Sequence, residues 1–453
     1  MGSFSDISNI FSDIASSLRS KMGITNKFEP EEMAGAINNI PSNGSGEVEL
    51  YTKSPTNSSI GSSLQDLFNS PVDLVYGSSS VVNMFCNCYN FNQPINIPNK
   101  VINATYCLSN CFNFNSIVTI PDTMLNTYNM FHNCYNFNQP INIPDSITNC
   151  RAMFQNCRVF NQPINIPSNS LDCSVMISGC RNFNQSIEFY ENMDRNCSLG
   201  YFMTSCDNFN YPINLPYGPT NLISFFSGCV NFNQPINIPD TAVLLNGMFA
   251  SCNNFNQSVI IPPNVTHMSA MFAECRNFNQ SIDIPNEVTN ICQIFRNCFN
   301  FNSSVNISSN KLIDMNRAFS SCREFNQPIS IPDSVLNMVS AFSNCNVFNQ
   351  DLIMPNSIIY CNYMLDGCRN YGSNIYFYGN IPAPANMNAM LSGRLGVGVS
   401  LCRIYASNVT NFISFTNTKS IFGSNVTWTK EFDETIQKNY WVSNAGNTYV
   451  CEL

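Results

Sequence analysis

FCNCYNFNQPINIP (Phe85–Pro98) returns as FHNCYNFNQPINIP (Phe131–Pro144), changed at one position. Inside the phrase, Cys88 has Phe85 three residues before it and Phe91 three residues after it. This frame recurs at Cys111, Cys134, Cys157, Cys180, Cys206, Cys229, Cys252, Cys275, Cys298, Cys322, Cys345 and Cys368. The steps are 23 residues, except 26 before Cys206 and 24 before Cys322. A fixed period in this range marks a solenoid. One repeat cannot bury its apolar face alone, so it stacks on copies of itself and presents to each neighbour the surface it receives.

The interior of a coil follows from its pattern. An aromatic stands three residues after each marker cysteine, from Phe91 and Phe114 through Phe348 to Tyr371. A short alternating run follows, such as Ile95-Asn96-Ile97, which reads as a strand with one buried face. Pro98 ends it, and Pro94 falls at the first strand position, where a missing N–H is tolerated. The stretch before the next marker, such as Ser146–Phe154, has room for a turn or one helical turn. The predicted fold is therefore mainly β: a leucine-rich-repeat-like solenoid of about thirteen coils over 81–376 with one parallel sheet. At about 4.8 Å per strand that sheet would be roughly 60 Å long.

Met84-Phe85, Cys88, Phe91-Asn92-Gln93-Pro94-Ile95 and Pro98, repeated along two-thirds of the chain, resemble the BspA-type leucine-rich repeats of bacterial and viral surface proteins. The resemblance implies a curved solenoid used for adhesion or recognition, without catalysis.

Composition narrows the partners. Charged residues make up 11% of the 453, and the net charge is −9. Nucleic acid needs clustered Lys and Arg, and no basic run is present. No apolar run approaches the ~20 residues that span a bilayer, so membrane insertion is not expected. The first residues lack the basic and apolar regions of a secretion signal. Asp6 stands where a myristoylation motif beginning at Gly2 needs Ser or Thr. The expectation is synthesis in a reducing host cytoplasm, where 22 cysteines call for an explanation other than disulfides.

The ends depart from the repeat. Ile7, Ile10, Phe11, Ile14, Leu18 and Met22 follow helical spacing and predict an amphipathic attachment helix. A second short helix is predicted from Pro30 to Ile40. Residues 1–46 thus read as a helical attachment or oligomerisation module with a flexible linker at its end. Asp13–Pro41, DIASSLRSKMGITNKFEPEEMAGAINNIP, resembles the N-terminal module of tail, baseplate and fibre proteins of bacteriophages of Gram-positive hosts. That resemblance implies docking to other virion proteins and a homo-oligomer, with a trimer favoured. Residues 47–80 are expected to cap the first coil, and 377–453 to form a β-rich cap or tip.

Each candidate chemistry stands beside a plainer one. The cysteine ladder could be a metal or disulfide array, but one Cys per coil lacks the paired spacing of zinc ligands, and a small buried corner residue fits the pattern better. The Asn after each aromatic (Asn92, Asn115, Asn138, Asn161) could bind sugar or satisfy backbone groups as an internal amide ladder. The outward strand position gives a candidate ligand-facing stripe: Asn96, Thr119, Asn142, Asn165, Glu188, Asn214, Asn237, Ile260, Asp283, Asn306, Ser330 and Ile353. Neutral amides and scattered carboxylates suit hydroxyl-rich ligands, though a merely solvated stripe would read the same. His132 and His267 fall six coils apart and share no site. No nucleophile elbow, phosphate loop, zincin or EF-hand motif occurs. Carboxylates on adjacent coils could by chance approach the spacing of glycoside cleavage, and Glu188 near Glu191 is one such case.

The combined expectation is a non-enzymatic bacteriophage virion protein without cofactor. It would be a tail or baseplate fibre that attaches to a host cell-surface glycan or protein. A non-receptor decoration protein and a cellular BspA-like adhesin are the alternatives.

Overall fold

The segment ahead of each marker cysteine carries the backbone connection between coils. In the computed structural model, which describes residues 48–51, 72–75, 79–191, 193–379, 381–392, 402–407, 427–434, 438–443 and 448–452, alternate amides there point to the next coil. The N–H groups of Val81, Asn83, Phe85 and Asn87 donate to the carbonyls of Asn103, Thr105, Cys107 and Ser109 at 2.9, 3.0, 2.8 and 2.8 Å. The amides between them, on Met84, Cys86 and Cys88, donate three residues back to Val81, Asn83 and Phe85. The product is a staircase of turns, neither helix nor strand. It recurs farther along, where Leu222, Ser224, Phe226 and Gly228 donate to Leu244, Asn246, Met248 and Ala250.

Such a staircase needs left-handed backbone at two residues per coil, four apart. Asn83 and Asn87 have φ of 57° and 65°, Asn129 and Asn133 53° and 61°, Ser340 and Asn344 54° and 60°. The second position is filled mostly by Asn, Gly or Ser, as at Asn110, Gly179, Ser205, Gly228 and Gly367. Gly lacks the Cβ that clashes in this region, and Asn tolerates it better than most residues. Val175, at φ 61°, is the β-branched exception among the described residues.

The core is a stack of phenyl rings. Phe85 lies on Phe91 of its own coil at 4.4 Å between centroids, and Phe91 on Phe114 of the next at 5.9 Å. Farther along, Phe249 and Phe255 stack at 4.4 Å, and Phe255 meets Phe278 at 6.0 Å. All of these rings are fully buried. Ring-on-ring contact down the coil axis is the packing that lets one aromatic serve both its neighbours.

The strands are shorter and fewer than the alternation predicts. β1 (Val48–Tyr51) pairs in parallel with β2 (Val72–Val75). β3 (Ile95–Asn96) pairs with β4 (Val118–Thr119), and β5 (Ile164–Asn165) with β6 (Ile187–Glu188). β7 (Ile282–Ile284) pairs with β8 (Val305–Ile307), and β9 (Leu352–Ile353) with β10 (Ile375–Phe377). The single parallel sheet expected from the sequence is thus, among the described residues of the repeat, three separate pairs and the β9-β10 edge of a larger sheet. Proline is one cause. In the four repeat pairs the second coil carries Ile117, Ser186, Ser304 or Asn374 just before its strand. Pro140, Pro163, Pro235 and Pro328 hold that place in coils that make no strand pair with the coil before them. The bond made at this place is accepted by the carbonyl, as from Ile95 N–H to Ile117 O at 2.9 Å, so the fixed φ of proline and not its missing N–H separates the two sets; Ser258, Ser281 and Asp351 hold the place in further coils without such a pair.

The chain divides into two units, Met1–Glu188 and Phe189–Leu453. The boundary falls within the 26-residue step, where Ile187-Glu188-Phe189-Tyr190 replaces the usual Ile-Asn-Ile-Pro. In the second unit β10 continues into β11 (Cys402–Ala406), β12 (Trp428–Asp433), β13 (Lys438–Ser443) and β14 (Thr448–Glu452), in sheet order β12-β13-β14-β11-β10-β9. Apart from one short 3-10 turn at Pro384–Asn386, the described residues contain no helix. The predicted attachment helix, with Ile7, Ile10, Phe11, Ile14, Leu18 and Met22, lies outside the described residues.

Candidate ligand-facing surface

Two columns of side chains run side by side along each unit, and their chemistry differs. The first is the Asn that follows each aromatic. Asn92 Oδ1 accepts the backbone N–H of Asn115 at 2.7 Å, Asn115 that of Asn138, Asn138 that of Asn161, and Asn161 that of Asn184, each at 2.8 Å. In the second unit the same relay links Asn210, Asn233, Asn256, Asn279, Asn302, Asn326 and Asn349, ending on Gly372 N–H at 2.7 Å. The next residue, Gln or Ser, adds a second donor: Gln280 Nε2 reaches Asn256 Oδ1 at 3.1 Å and Ser303 Oγ reaches Asn279 Oδ1 at 2.9 Å. This column satisfies backbone amides, the plainer of its two sequence readings.

The second column is the outward strand position. Asn96, Thr119, Asn142, Glu188, Asn214, Asn237, Ile260, Asp283, Asn306, Ser330 and Ile353 are exposed, and Ile260 is 86% exposed. Asn165 differs: it is half-buried, and its Nδ2 donates to Ile143 O at 3.1 Å. None of the other polar members is held by a side-chain hydrogen bond among the described residues. Between the two columns lies an apolar one that sequence reasoning did not single out as surface. Pro94, Pro140, Pro163, Pro212, Pro235 and Pro328 are exposed there, as is Ile117 at 61%. Residues two apart share a face, so the coils of Pro94, Pro140, Pro163, Pro212 and Pro235 show an amide, a ring and an amide in a row.

The row continues past the repeat. Tyr376 of β10 is the register partner of Ile353 on one side and of Tyr405 on the other. The rings of Tyr376 and Tyr405 stack at 4.9 Å. Tyr376 stands 23 residues after Ile353 and keeps the period of the row; loss of that period hid Tyr405, though the alternation in Ile404-Tyr405-Ala406 marks it. A further surface stack, Tyr89, Phe112 and Tyr135, has centroids 4.7 and 4.9 Å apart, with the Arg158 guanidinium 4.2 Å above the last ring.

The marker cysteines face inward. Their thiols donate to the carbonyl of the bulky residue one coil back, Cys111 to Phe85 at 3.0 Å, Cys134 to Leu108 at 3.1 Å and Cys368 to Phe342 at 2.9 Å. Burial pushes the Cys88 thiol up to about 12 and those of Cys134, Cys157, Cys252 and Cys298 well above the ordinary thiol range. They are held as neutral donors, the wrong state for a nucleophile or metal ligand. Among the described residues no group of three or more His, Cys, Asp or Glu could hold a metal ion. His132 Nδ1 lies 3.4 Å from the hydroxyl of Ser109, a residue 2% exposed, and burial lowers the imidazole's pKa. His267 Nδ1 lies 2.9 Å from its neighbour Thr266 Oγ1. Glu188 and Glu191 belong to different units.

Stacked 23-residue coils with inward aromatics and an outward polar row define a leucine-rich-repeat-type solenoid protein. A family model described as "Mycoplasma protein of unknown function, DUF285" matches residues 79–190, 109–215, 218–305, 267–375 and 289–401, and the chain belongs to that family. The fold is similar to the crystal structure of a leucine-rich repeat protein from Bacteroides ovatus, with a TM-score of 0.54 and 18% identity over 72% of this chain and 82% of that one. A leucine rich cell surface protein from Faecalibacterium prausnitzii aligns with a TM-score of 0.44 and 18% identity over 74% of this chain and 88% of that one. No curated protein matches the sequence. The first of these likenesses agrees with the leucine-rich-repeat reading of the fold.

Proposed function

We propose that the protein is a recognition solenoid displayed at a surface, where the outward row binds a hydroxyl-rich ligand such as a cell-surface glycan through many weak contacts. One observation carries this reading: the amides of the outward row, Asn165 aside, are exposed and uncommitted, while the adjacent amide ladder is engaged. Sugar rings have apolar faces and hydroxyl edges. Proline rings flanked by amides offer the matching alternation, and repetition from coil to coil multiplies a weak contact. Recognition needs no bond making, and the reading includes no catalysis.

We assign the carrier to a virion, on the resemblance of Asp13–Pro41 to phage tail and baseplate modules. Residues 1–46 would then dock or oligomerise the chain, and the solenoid would face the host. A cellular adhesin is the second reading, favoured by the family's description as a Mycoplasma protein.

Glycan arrays and whole-cell binding with the purified chain test the proposal. The variant Asn214→Ala/Asn237→Ala/Asn306→Ala should keep its melting temperature and lose most binding. Binding should change little between 50 and 500 mM salt, because a neutral ligand offers nothing to screen. Unchanged binding by that variant would remove the row from the site. Proteomics of purified particles against host cell envelopes separates virion from cell.

A further inference from the structure

We propose that Cys150 and Cys173 are a latent redox pair that closes into a disulfide on meeting a small-molecule disulfide oxidant, stapling two neighbouring coils of the first unit. Both stand seven residues ahead of a marker cysteine. Elsewhere that column holds residues such as Ala104, Thr127, Leu222, Leu245, Met268 and Ile291. At no other step of the repeat do two successive coils place Cys there.

The geometry is favourable. Asn149 and Asp172 are register partners in a parallel bridge, and Cys150 N–H donates to Asp172 O at 3.0 Å. The two cysteines therefore occupy equivalent places one coil apart. Coils spaced about 4.8 Å apart fall within the Cα separation of roughly 4.4–6.8 Å that a disulfide accepts. The side chains converge further, to 3.2 Å between sulfurs. The other polar neighbours of Cys150 Sγ, Ser170 Oγ and Asp172 O, stand off at 3.8 and 3.7 Å. Marker thiols such as those of Cys157 and Cys180 are placed differently, donating to a carbonyl of the preceding coil.

The chemistry is thiol–disulfide exchange. One cysteine gives up its proton, and its thiolate attacks the oxidant's S–S bond. A mixed disulfide forms and one small thiolate leaves. The second cysteine, deprotonated in turn, attacks the protein sulfur of that mixed disulfide and expels the other small thiolate. Two protein thiols become one disulfide, and the oxidant is reduced to two thiols. Both cysteines are fully buried, so the first attack proceeds through local opening of this coil. A chain folded in a reducing compartment would carry the dithiol, and one held in an oxidising medium would carry the staple. The link constrains the unfolded chain and so raises stability.

The full-length protein is incubated with oxidised glutathione, alkylated, digested and mapped by mass spectrometry, while circular dichroism confirms that it stays folded. The expected result is a Cys150–Cys173 linked peptide as the dominant cross-link. The thermal midpoint should rise, fall back with dithiothreitol, and stay unmoved by oxidant in Cys150→Ser and Cys173→Ala. Wild-type mapping decides the matter even if those variants fold poorly. Absence of the linked peptide from folded, oxidised protein, or cross-links dominated by marker cysteines, overturns the proposal.

Discussion

Asparagine serves this chain in three ways, and its place in the coil decides which. Asn87 and Asn133 adopt left-handed backbone at the end of the turn staircase. Asn92 and Asn138 accept an amide from the coil above. Asn96 and Asn142 face solvent. Truncation should separate the last two roles. Asn138→Ala leaves Asn161 N–H without its acceptor and should cost about 1–2 kcal/mol, whereas Asn142→Ala should stay within about 0.5 kcal/mol. Urea melts of the two variants check this. Val175 should show the converse. Its φ of 61° disfavours a β-branched side chain, so Val175→Asn should stabilise the protein by roughly 1 kcal/mol, read as a higher denaturation midpoint. Two of the three roles of Asn were legible in the sequence, because an amide at a fixed offset from an aromatic or a strand declares its surroundings. The left-handed role was not. It depends on the alternation of hydrogen bonds, and the residues at its first position, such as Tyr106, Ala152 and Arg317, carry no composition signal.

At the scale of the element, the load passes from the strand to the staircase. Alternating Ile-Asn-Ile looked like the ladder that joins the coils, yet among the described residues strand pairing joins only some of them. The turns, in stretches whose sequence left room only for a turn or one helical turn, make the continuous connection within each unit. Hydrogen exchange should rank them accordingly. The amides of Phe131 and Asn133, bonded to Met153 O and Gln155 O at 2.8 and 2.9 Å, should exchange more slowly than that of Ile143 in a coil without strand pairing. The cysteine corner makes a second demand. A thiol in the unfolded chain titrates near 8.5, while burial holds Cys88 and Cys361 up to about 12 when folded. Below about pH 8.5 both states keep the proton and stability is unaffected. Above it the unfolded chain releases protons that the folded chain retains, so each such thiol lowers stability by about 1.4 kcal/mol per pH unit until its folded value is reached. Urea denaturation under reductant should therefore show a much lower midpoint at pH 10 than at pH 7.5. Equal midpoints would mean that the thiols are not held as donors.

For the molecule as a whole, the repeat was the most legible feature, because thirteen marker cysteines in near-constant register leave no other architecture. The division at Glu188 was only half legible. The 26-residue step and the missing proline point to an irregular coil, but contacts alone define a unit. The C-terminal sheet was opaque for a related reason. Tyr376 and Tyr405 align through hydrogen-bond register, and the sequence between them keeps no period. A repeat of interchangeable coils makes a direct prediction. Inserting a copy of residues 253–275 after Cys252 should leave a folded protein, whereas inserting half that length should unfold the second unit; circular dichroism and limited proteolysis check both.

The relay of asparagines hands each backbone N–H to the storey below, always in the same direction and always by the same atom. A joint that never varies is indifferent to how many times it is used. Recombination between near-identical copies of the phrase can therefore lengthen or shorten such a chain by whole storeys without redesigning any contact. Descendants of one ancestor could then differ in reach while gripping the same kind of target.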